Sequence, residues 1–552
     1  MMAVSDLLKQ LQALDVRIWA EDDRLRLDAP KGALTPELRE ALAARKAEIL
    51  TYLNNLQTAD RLPALVSVGG QGLLPLSFAQ KRMWLLQQMD QGTGAYNISQ
   101  AVCLRGALNV EALALCLNAI VQRHAILRTT YRVVDGMPFQ EVNAIRPLPL
   151  PVIDLTASPT AQAEVQKLIR AEAIQPFDLE RDWPIRVKLL RVAAADHILL
   201  TTIHHIASDG SAFAVLGREL VALYENYAAH GSLDGVLPPL PIQYADYAVW
   251  EEKLLQSDFV AGQLAYWQEQ LGGQLPELDL PTDYGRSPVR TFHGARLDMR
   301  LSRELSQQLR QFCQAEGVTL FVALLAAFKL LLHRYTGQED IVVGSPIVGR
   351  SRAELEKMIG LFLNTLALRT DLSGEPSYRE LVGRVRQVGQ GAISNQDVPF
   401  EMVLEALKTS RDLSRTPLFQ VFFNVLNFSR RVDGFSSLEV EVLVNPEPDS
   451  LFDVTLYVEE IGEQIDLHLA YNTDLFKKER MEALLAHFSR VLEQAVENPD
   501  RCLEDFSLLT EGEREKLLVA WNDTAVPVNL ICLHHMFENQ AAQTPDAVAL
   551  IF

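Results

Sequence analysis

The chain has 552 residues, of which 48% are hydrophobic and 22% are charged, a balance typical of a globular protein with sizeable buried cores. Its formal net charge of −20 argues against nucleic acid as a partner, because phosphate binding needs a basic surface. The five cysteines are scattered without a CxxC pair and no apolar signal core opens the chain, which together favour a reducing, cytoplasmic compartment.

Residues 1–57 have the pattern of a small helix–hairpin–helix unit. Apolar residues recur at helical spacing over 4–14, apolar and polar residues alternate over 16–28 around a turn, and Thr35-Pro36-Glu37 opens a second helix. Such a unit has little core of its own, so it is either a cap packed on the rest of the chain or a separate binding module. Its basic residues on the second strand and beyond include Arg24, Arg26, Lys31, Arg45 and Lys46, which are the candidates for contact with an acidic partner.

Residues 58–72 contain Pro63 and a glycine cluster and are predicted to be a linker. Helix and strand patterns then alternate over 73–245 and again over 246–505, which indicates an α/β fold. The most apolar helix pattern, at 318–335, is interrupted by Lys329. It is predicted to be a buried core helix and not a membrane span.

The clearest chemical signal lies in residues 201–210, TTIHHIASDG. An apolar strand pattern over 197–203 stops at His204-His205, and Asp209-Gly210 precedes an amphipathic helix pattern. Imidazole is well suited to accept a proton near neutral pH, and glycine lets the backbone turn tightly or be approached closely. The alternative interpretation is an ordinary packed or surface histidine at a strand end.

Six further stretches accompany this one in a fixed order along the chain. They are LSFAQKRMW (76–84), RHAILRTTY (123–131), YADYAVW (244–250), IGLFLNT (359–365), NQDVPFE (395–401) and RDLSRTPL (411–418). Together the seven stretches resemble the condensation domain of a nonribosomal peptide synthetase. The resemblance implies two tandem chloramphenicol acetyltransferase-like α/β lobes, 73–245 and 246–505, that form a pseudo-dimer with a tunnel between them.

The resemblance also implies an acyltransferase that forms a peptide bond. An acyl or peptidyl thioester on an upstream carrier protein meets the amine of an aminoacyl thioester on a downstream carrier protein. Both phosphopantetheine arms arrive on those carriers, and the chain itself is expected to bind no cofactor and no metal. His205 is the predicted catalytic imidazole, as a base or as an orienter of the amine, and His204 is expected to shape the loop.

The remaining motif residues are given supporting roles by the same resemblance. Asp209 could orient His205 as in a serine-protease triad, but the family points to a structural ion pair, for which Arg350 is the candidate partner. Gly210 is expected to keep the donor side of the tunnel open. The residues predicted to face the substrate tunnel are Asn364, Gln396 and Ser211.

The two ends of the chain resemble parts of larger synthetases. Residues 1–57 are similar to N-terminal docking domains, which capture the C-terminal tail of an upstream subunit as an added strand. The five basic residues named above are expected to read the charge of that tail. Residues 506–552 resemble a linker and the start of an adenylation domain cut after its first strand, and their His534-His535 pair lacks the following Asp and Gly.

Two alternatives within this fold are kept, an epimerisation-type domain and a catalytically silent recruitment platform. Epimerisation domains typically carry an EGHGR-like motif that is absent here, and the intact histidine motif argues against a silent platform. Heterocyclisation domains replace the two histidines by aspartates, whereas both histidines are present here. The expected partners are therefore the upstream tail, the two carrier proteins and the adenylation domain, with no membrane and no nucleic acid.

Overall fold

A computed structural model of the chain describes residues 17–21, 24–28, 63–70, 72–89, 94, 96–350, 352–408, 412–426, 435–443, 450–526 and 531–551. The strands in these ranges are β1 (Arg17–Glu21), β2 (Arg24–Asp28), β3 (Leu73–Pro75), β4 (Asn97–Gly106), β5 (Thr129–Val134), β6 (Met137–Val142), β7 (Val152–Asp154), β8 (Ile185–Ala193), β9 (Asp196–His204), β10 (Gly294–Arg300), β11 (Asp340–Val348), β12 (Leu363–Asp371), β13 (Val421–Leu426), β14 (Leu438–Leu443), β15 (Val454–Ile461) and β16 (Gln464–Asn472). The α-helices are α1 (Phe78–Met89), α2 (Val110–Arg123), α3 (Ala161–Ile174), α4 (Gly210–His230), α5 (Tyr244–Leu255), α6 (Asp258–Gln270), α7 (Arg303–Glu316), α8 (Leu320–Thr336), α9 (Tyr378–Ser394), α10 (Phe400–Leu407), α11 (Lys478–Glu497), α12 (Glu511–Leu518) and α13 (Leu533–Gln543).

Strands β1 and β2 form the antiparallel hairpin that the alternating pattern predicts. Arg24 lies opposite Glu21, and Arg26 lies opposite Trp19. The two helices predicted around this hairpin lie outside the described residues, as do Lys31, Arg45 and Lys46.

The first lobe is built on a five-stranded sheet with the order β14-β4-β9-β8-β7. Strand β9 is central and is covered on both faces, since Leu199 and Ile203 join the main core with helices α2 and α4 while Ile198 and Leu200 pack with α3. A strand buried on both faces has a continuous apolar sequence, which is why 197–203 shows little alternation. The edge strand β14 comes from the second half of the chain and pairs antiparallel with β4, a crossing that no sequence pattern predicted.

The second lobe contains a six-stranded sheet with the order β10-β16-β15-β13-β11-β12. Helix α8 covers it, and residues 323–333 of this helix are all buried, including Lys329. The core helix predicted at 318–335 is therefore confirmed. In the described part of the chain no single helix has both the length and the apolar character to cross a membrane, and α7 with α8 would do so only as a pair bent by 107°.

Candidate active site

The two histidines lie where the central strand of the first sheet ends. Strand β9 stops at His204, residues His205–Ala207 form a single 3-10 turn, and helix α4 begins at Gly210. The backbone N–H of His205 donates to the carbonyl of Tyr96, 2.8 Å away, next to the start of β4. We call residues 204–210 the catalytic turn, after the role that the sequence predicts for His205. Its placement at the end of β9 fixes the backbone that carries both imidazoles.

His204 points into the protein and has both ring nitrogens occupied. Its Nδ1 accepts the backbone N–H of Ile206 at 3.1 Å, its Nε2 lies 3.2 Å from Oε1 of Gln87, and the side chain of Phe177 meets its ring edge-on. Burial, with the nearby His205 and Arg186, lowers the pKa of His204 to about 3. His204 therefore stays neutral and packs inward beside the turn, and its role in shaping the turn stays a prediction.

His205 is only partly buried, and its ring is much less constrained. Nδ1 is shielded from solvent and has no hydrogen-bond partner among the described residues. Burial lowers the pKa of His205, while its own backbone and the carboxylate of Asp209 act in the opposite direction and the guanidinium of Arg82 lowers it further. A neutral imidazole is the form that can accept a proton.

The carboxylate of Asp209 accepts several hydrogen bonds in and around the catalytic turn. Its Oδ1 caps helix α4 by accepting the backbone N–H groups of Ser211 and Ala212 at 3.1 and 3.0 Å, and it also accepts the Ser211 hydroxyl at 2.6 Å. The same oxygen lies 3.4 Å from Nη2 of Arg350, whose side chain is 7% exposed. The structure thus brings together Asp209 and the arginine predicted as its partner, and it places this carboxylate in the cap and the ion pair.

Arg350 extends this network into the second lobe. It follows β11, and its Nη1 donates to the carbonyls of Leu355 and Met358. Its guanidinium also lies over the ring of Phe362, 4.3 Å from the ring centroid, and the backbone N–H of Phe362 donates to Oδ2 of Asp209 at 3.1 Å. One buried carboxylate of the first lobe therefore holds both an arginine and a backbone amide of the second.

We call residues 355–362 the bridging segment, because side chains of the first lobe hold it at further points. His124 Nδ1 accepts the N–H of Ile359 at 3.3 Å, and the Tyr244 hydroxyl donates to the carbonyl of Leu361 at 2.6 Å. A Cβ on Gly360 would lie 2.2 Å from the Tyr244 ring, so only glycine fits there. Sequence reasoning missed these contacts, although a histidine and a tyrosine inside two of the quoted motifs were available signals.

The residues predicted to face the substrate tunnel have different environments. Asn364 donates from Nδ2 to the carbonyls of Gln396 and Val398, each at 2.8 Å, and accepts the N–H of Phe400 on Oδ1. Its amide therefore fixes the loop that contains Gln396. Ser211 is part of the Asp209–Arg350 network, since its hydroxyl accepts from Arg350 Nε at 3.0 Å.

Gly210 is the exposed first residue of α4, and it is not among the glycines with positive φ. Its small size is therefore the property that could matter at the mouth of a channel, and not its conformational freedom. The tunnel function of these residues stays a prediction.

Two cavities and one group of possible metal ligands lie elsewhere in the described part of the chain. One cavity lies between α3 and the five-stranded sheet, with Ser99, Glu172 and Leu443 in its lining, and a second, of about 220 Å³, lies beside Arg415 and Leu418. Neither has His205 in its lining. Three exposed side chains, Cys532, His534 and His535, have ligand-type atoms within 4.8 Å of one another, but they are remote in sequence from the catalytic turn.

Comparison with known proteins gives matches over most of the chain. The condensation-domain family model matches residues 70–518, and the model of the TubC N-terminal docking domain matches residues 4–55. One of the linear gramicidin synthase proteins from Brevibacillus parabrevis is 39% identical over 512 residues, which is 91% of this chain and 10% of the relative. The chain thus spans about a tenth of the length of the curated relatives that it matches first.

Two solved structures have the same fold. The X-domain solved in complex with OxyB from teicoplanin biosynthesis is 30% identical with a TM-score of 0.73, and the match covers 82% of this chain and 99% of that one. The first condensation domain of the calcium-dependent antibiotic synthetase, solved with a substrate analogue, has a TM-score of 0.67 at 20% identity, over 80% of this chain and 100% of that one. These likenesses confirm the two-lobed α/β fold that the sequence predicted.

Proposed function

The chain belongs to the condensation-domain family of nonribosomal peptide synthetases, a family of acyl-transferring, peptide-bond-forming enzymes, and we propose that it joins two carrier-bound building blocks through His205. The amine of a downstream aminoacyl thioester attacks the carbonyl of an upstream acyl or peptidyl thioester. A C–N bond forms, the C–S bond of the donor breaks, and the proton lost by the amine passes through His205 to the departing thiolate. The growing chain thereby moves to the downstream carrier.

The observation that carries this proposal is the contrast between the two imidazoles. His204 has both nitrogens committed and a pKa of about 3, whereas His205 has no hydrogen-bond partner at Nδ1 among the described residues and is partly exposed. A positioned general base contributes about 10²–10⁴-fold in rate. Holding both thioesters in line can contribute roughly 7–11 kcal/mol. His205 therefore serves as much by orienting the amine as by taking its proton.

Replacing His205 by alanine tests the proposal. Each variant is incubated with a donor-loaded and an acceptor-loaded carrier protein, and product on the acceptor carrier is followed by intact mass. We expect His205→Ala to form no product while its circular dichroism and unfolding midpoint match the wild type. His535→Ala, which changes the second histidine of an exposed pair on α13, is the matched control and is expected to be fully active. Product formation by His205→Ala at the wild-type rate would refute the proposal.

A catalytically silent recruitment domain is the second candidate. The likeness to an X-domain that was solved as a complex with another protein, OxyB, favours it. The same single-turnover assay separates the two functions, because a silent domain would leave both loaded carriers unchanged in the wild type.

The N-terminal docking domain is proposed to bind the C-terminal tail of an upstream subunit. Its hairpin supports this, because β1 and β2 form a two-stranded sheet with strand edges to which a tail could add. Arg24 and Arg26 occupy alternate positions of β2 and are proposed to read an acidic tail, with Lys31, Arg45 and Lys46. We expect the double change of Arg24 and Arg26 to glutamate to weaken tail-peptide binding in calorimetry, and unchanged affinity would contradict this assignment.

Residues 506–552 are proposed to be the linker and first part of an adenylation domain. Large apolar side chains are exposed to solvent in this region, among them Leu533 at 86% and Leu550 at 83% exposure. Apolar surfaces of this kind are usually covered by another domain or protein. Residues 531–551 contain α13 and no strand, so the expected first strand stays a prediction. A cytoplasmic location is proposed on the same resemblance.

A further inference from the structure

Helix α1 reaches the catalytic turn through two buried glutamines. Gln80 Nε2 donates to the carbonyl of Ile206 at 3.4 Å, and Gln87 Oε1 lies 3.2 Å from Nε2 of His204. Gln80 is 0% exposed and Gln87 is 8% exposed. Because seven residues span about two helical turns, both amides lie on the same face of the helix. The function proposed above uses neither of them.

The hydrogen bonds around His204 allow only one arrangement of its protons. The N–H of Ile206 can only donate, so the Nδ1 atom that accepts it carries no hydrogen. A neutral imidazole then carries its hydrogen on Nε2, which donates to Gln87. The side-chain amide of Gln87 must therefore present its oxygen to His204, since its NH₂ group would oppose another donor.

We propose that Gln87 is a positioning residue for His205. By accepting the hydrogen on Nε2, Gln87 leaves Nδ1 of His204 free to hold the N–H of Ile206, the residue directly after His205. Gln80 holds the carbonyl of the same residue, so the peptide groups on both sides of Ile206 are fixed from α1. This inference rests on the catalytic role of His205 proposed above.

Two substitutions at Gln87 break this chain of contacts in different ways. Gln87→Met keeps the length of the side chain and removes the acceptor. Gln87→Glu keeps an acceptor, but its charge favours a doubly protonated His204, whose Nδ1–H would face the N–H of Ile206. The titratable and charged groups that act on His204 are His205 and Arg186 of β8. The guanidinium of Arg186 is paired with Glu172, and the side chain of Tyr96 lies beside the ring of His204.

The experiment measures kcat and KM for peptide formation from the two loaded carriers, across pH, in the full chain. We expect Gln87→Met to lower kcat by about 10-fold to 100-fold with unchanged KM, because a small displacement of a catalytic group costs that much. We expect the ratio of Gln87→Glu to wild-type kcat to fall as the pH is lowered and to recover at alkaline pH. The matched control is Gln308→Met, the same change at an exposed glutamine of helix α7 in the second lobe, which should retain the wild-type kcat.

A spectroscopic measurement makes the test independent of activity. In protein with carbon-13-labelled histidine, the Cδ2 shift of His204 should report the Nε2–H tautomer in the wild type and a change in Gln87→Glu at low pH. If Gln87→Met folds poorly, Gln87→Glu and this signal decide the outcome. A wild-type kcat in Gln87→Met, a pH-independent ratio in Gln87→Glu, or an Nδ1–H tautomer in the wild type would overturn the inference. An active His205→Ala variant would instead overturn the proposed function.

Discussion

Replacing Asp209 by asparagine removes a carboxylate that caps helix α4, pairs with Arg350 and accepts the backbone N–H of Phe362. The asparagine oxygen can still cap helix α4, but its NH₂ group cannot accept the N–H of Phe362, which now bonds to Oδ2. The change also leaves Arg350, with a side chain only 7% exposed, without its carboxylate. Asp209→Asn therefore separates the cap, which survives, from the contacts between the lobes, which do not.

The expected magnitude follows from these contacts. Removing one partner of a buried ion pair costs about 3–5 kcal/mol, because the remaining charge is left unpaired. Arg350 keeps its bonds to the carbonyls of Leu355 and Met358, which stabilise the unpaired guanidinium and place the cost near the lower limit. We therefore expect Asp209→Asn to lower the free energy of unfolding by about 3 kcal/mol.

A double-mutant cycle isolates the pair. Arg350→Met removes the charge that Asp209→Asn leaves unpaired, so the double variant should be more stable than the sum of the single losses predicts. We expect a coupling energy of about 1–3 kcal/mol from urea unfolding of the four proteins. Strictly additive losses would refute the conclusion that this ion pair joins the lobes.

A second buried pair serves as the matched control for activity. Asp453 pairs with Arg286 at 2.5 Å in the second lobe, and its side chain is 5% exposed. Asp453→Asn should lower stability while the folded protein condenses carrier substrates at the wild-type rate. Asp209→Asn should lose both stability and rate, because Asp209 also fixes the catalytic turn. Equal rates in the two variants would show that Asp209 has no influence on His205.

Three further predictions concern other buried groups. Because burial lowers the pKa of His205, the acid limb of the pH–kcat profile should lie below the ordinary histidine range. Arg82→Gln should move this limb to higher pH, since the Arg82 cation lowers the pKa of His205. A limb that does not shift in Arg82→Gln would contradict the prediction. Burial lowers the pKa of Lys329 from 10.5 to about 7, so between these pH values the unfolded chain binds more protons than the folded one and the free energy of unfolding rises with pH. Urea unfolding should show this rise in the wild type and not in Lys329→Met. Parallel pH dependences of the two proteins would refute the prediction. Asn364→Ala should lower the free energy of unfolding by about 1–3 kcal/mol, because it leaves the N–H of Phe400 without its acceptor, and an unchanged unfolding curve with a raised KM would instead indicate substrate contact.

The catalytic turn itself could be predicted from local sequence because each part of it has a local cause. A strand covered on both faces gives the apolar run before His204, and an aspartate before a glycine and an amphipathic segment is a helix cap. Both features are present in β9 and in the Asp209 cap of α4. The partner Arg350 came from the family resemblance, because nothing in the local pattern of either residue links positions that are 141 residues apart.

The contacts that were not predicted have no local cause. Strand β14 fills an edge of the first sheet although it belongs to the second half of the chain, and only its register with β4 reveals this. In the sequence Gln87 is an ordinary polar residue of a helix, and only the folded structure shows its contact with His204. Two glutamines seven residues apart on an otherwise apolar helix face were the available signal, and buried amides of this kind usually have a specific partner.

The distribution of hydrogen bonds in the catalytic turn supports the role proposed for His205. His204 is fixed through both nitrogens, and Asp209 is fixed through both oxygens. A group that is fully hydrogen-bonded in the resting protein must break a contact before it can serve a substrate, which costs about 1–3 kcal/mol for a buried polar atom. The side chain of His205 is only partly buried, its backbone is held by the carbonyl of Tyr96, and its shielded Nδ1 has no partner among the described residues, so a substrate that reaches the exposed part of the ring displaces no hydrogen bond at Nδ1. The rigidity of its neighbours is therefore what allows one uncommitted imidazole to stay in place, and loosening any of them should reduce the rate before it unfolds the chain.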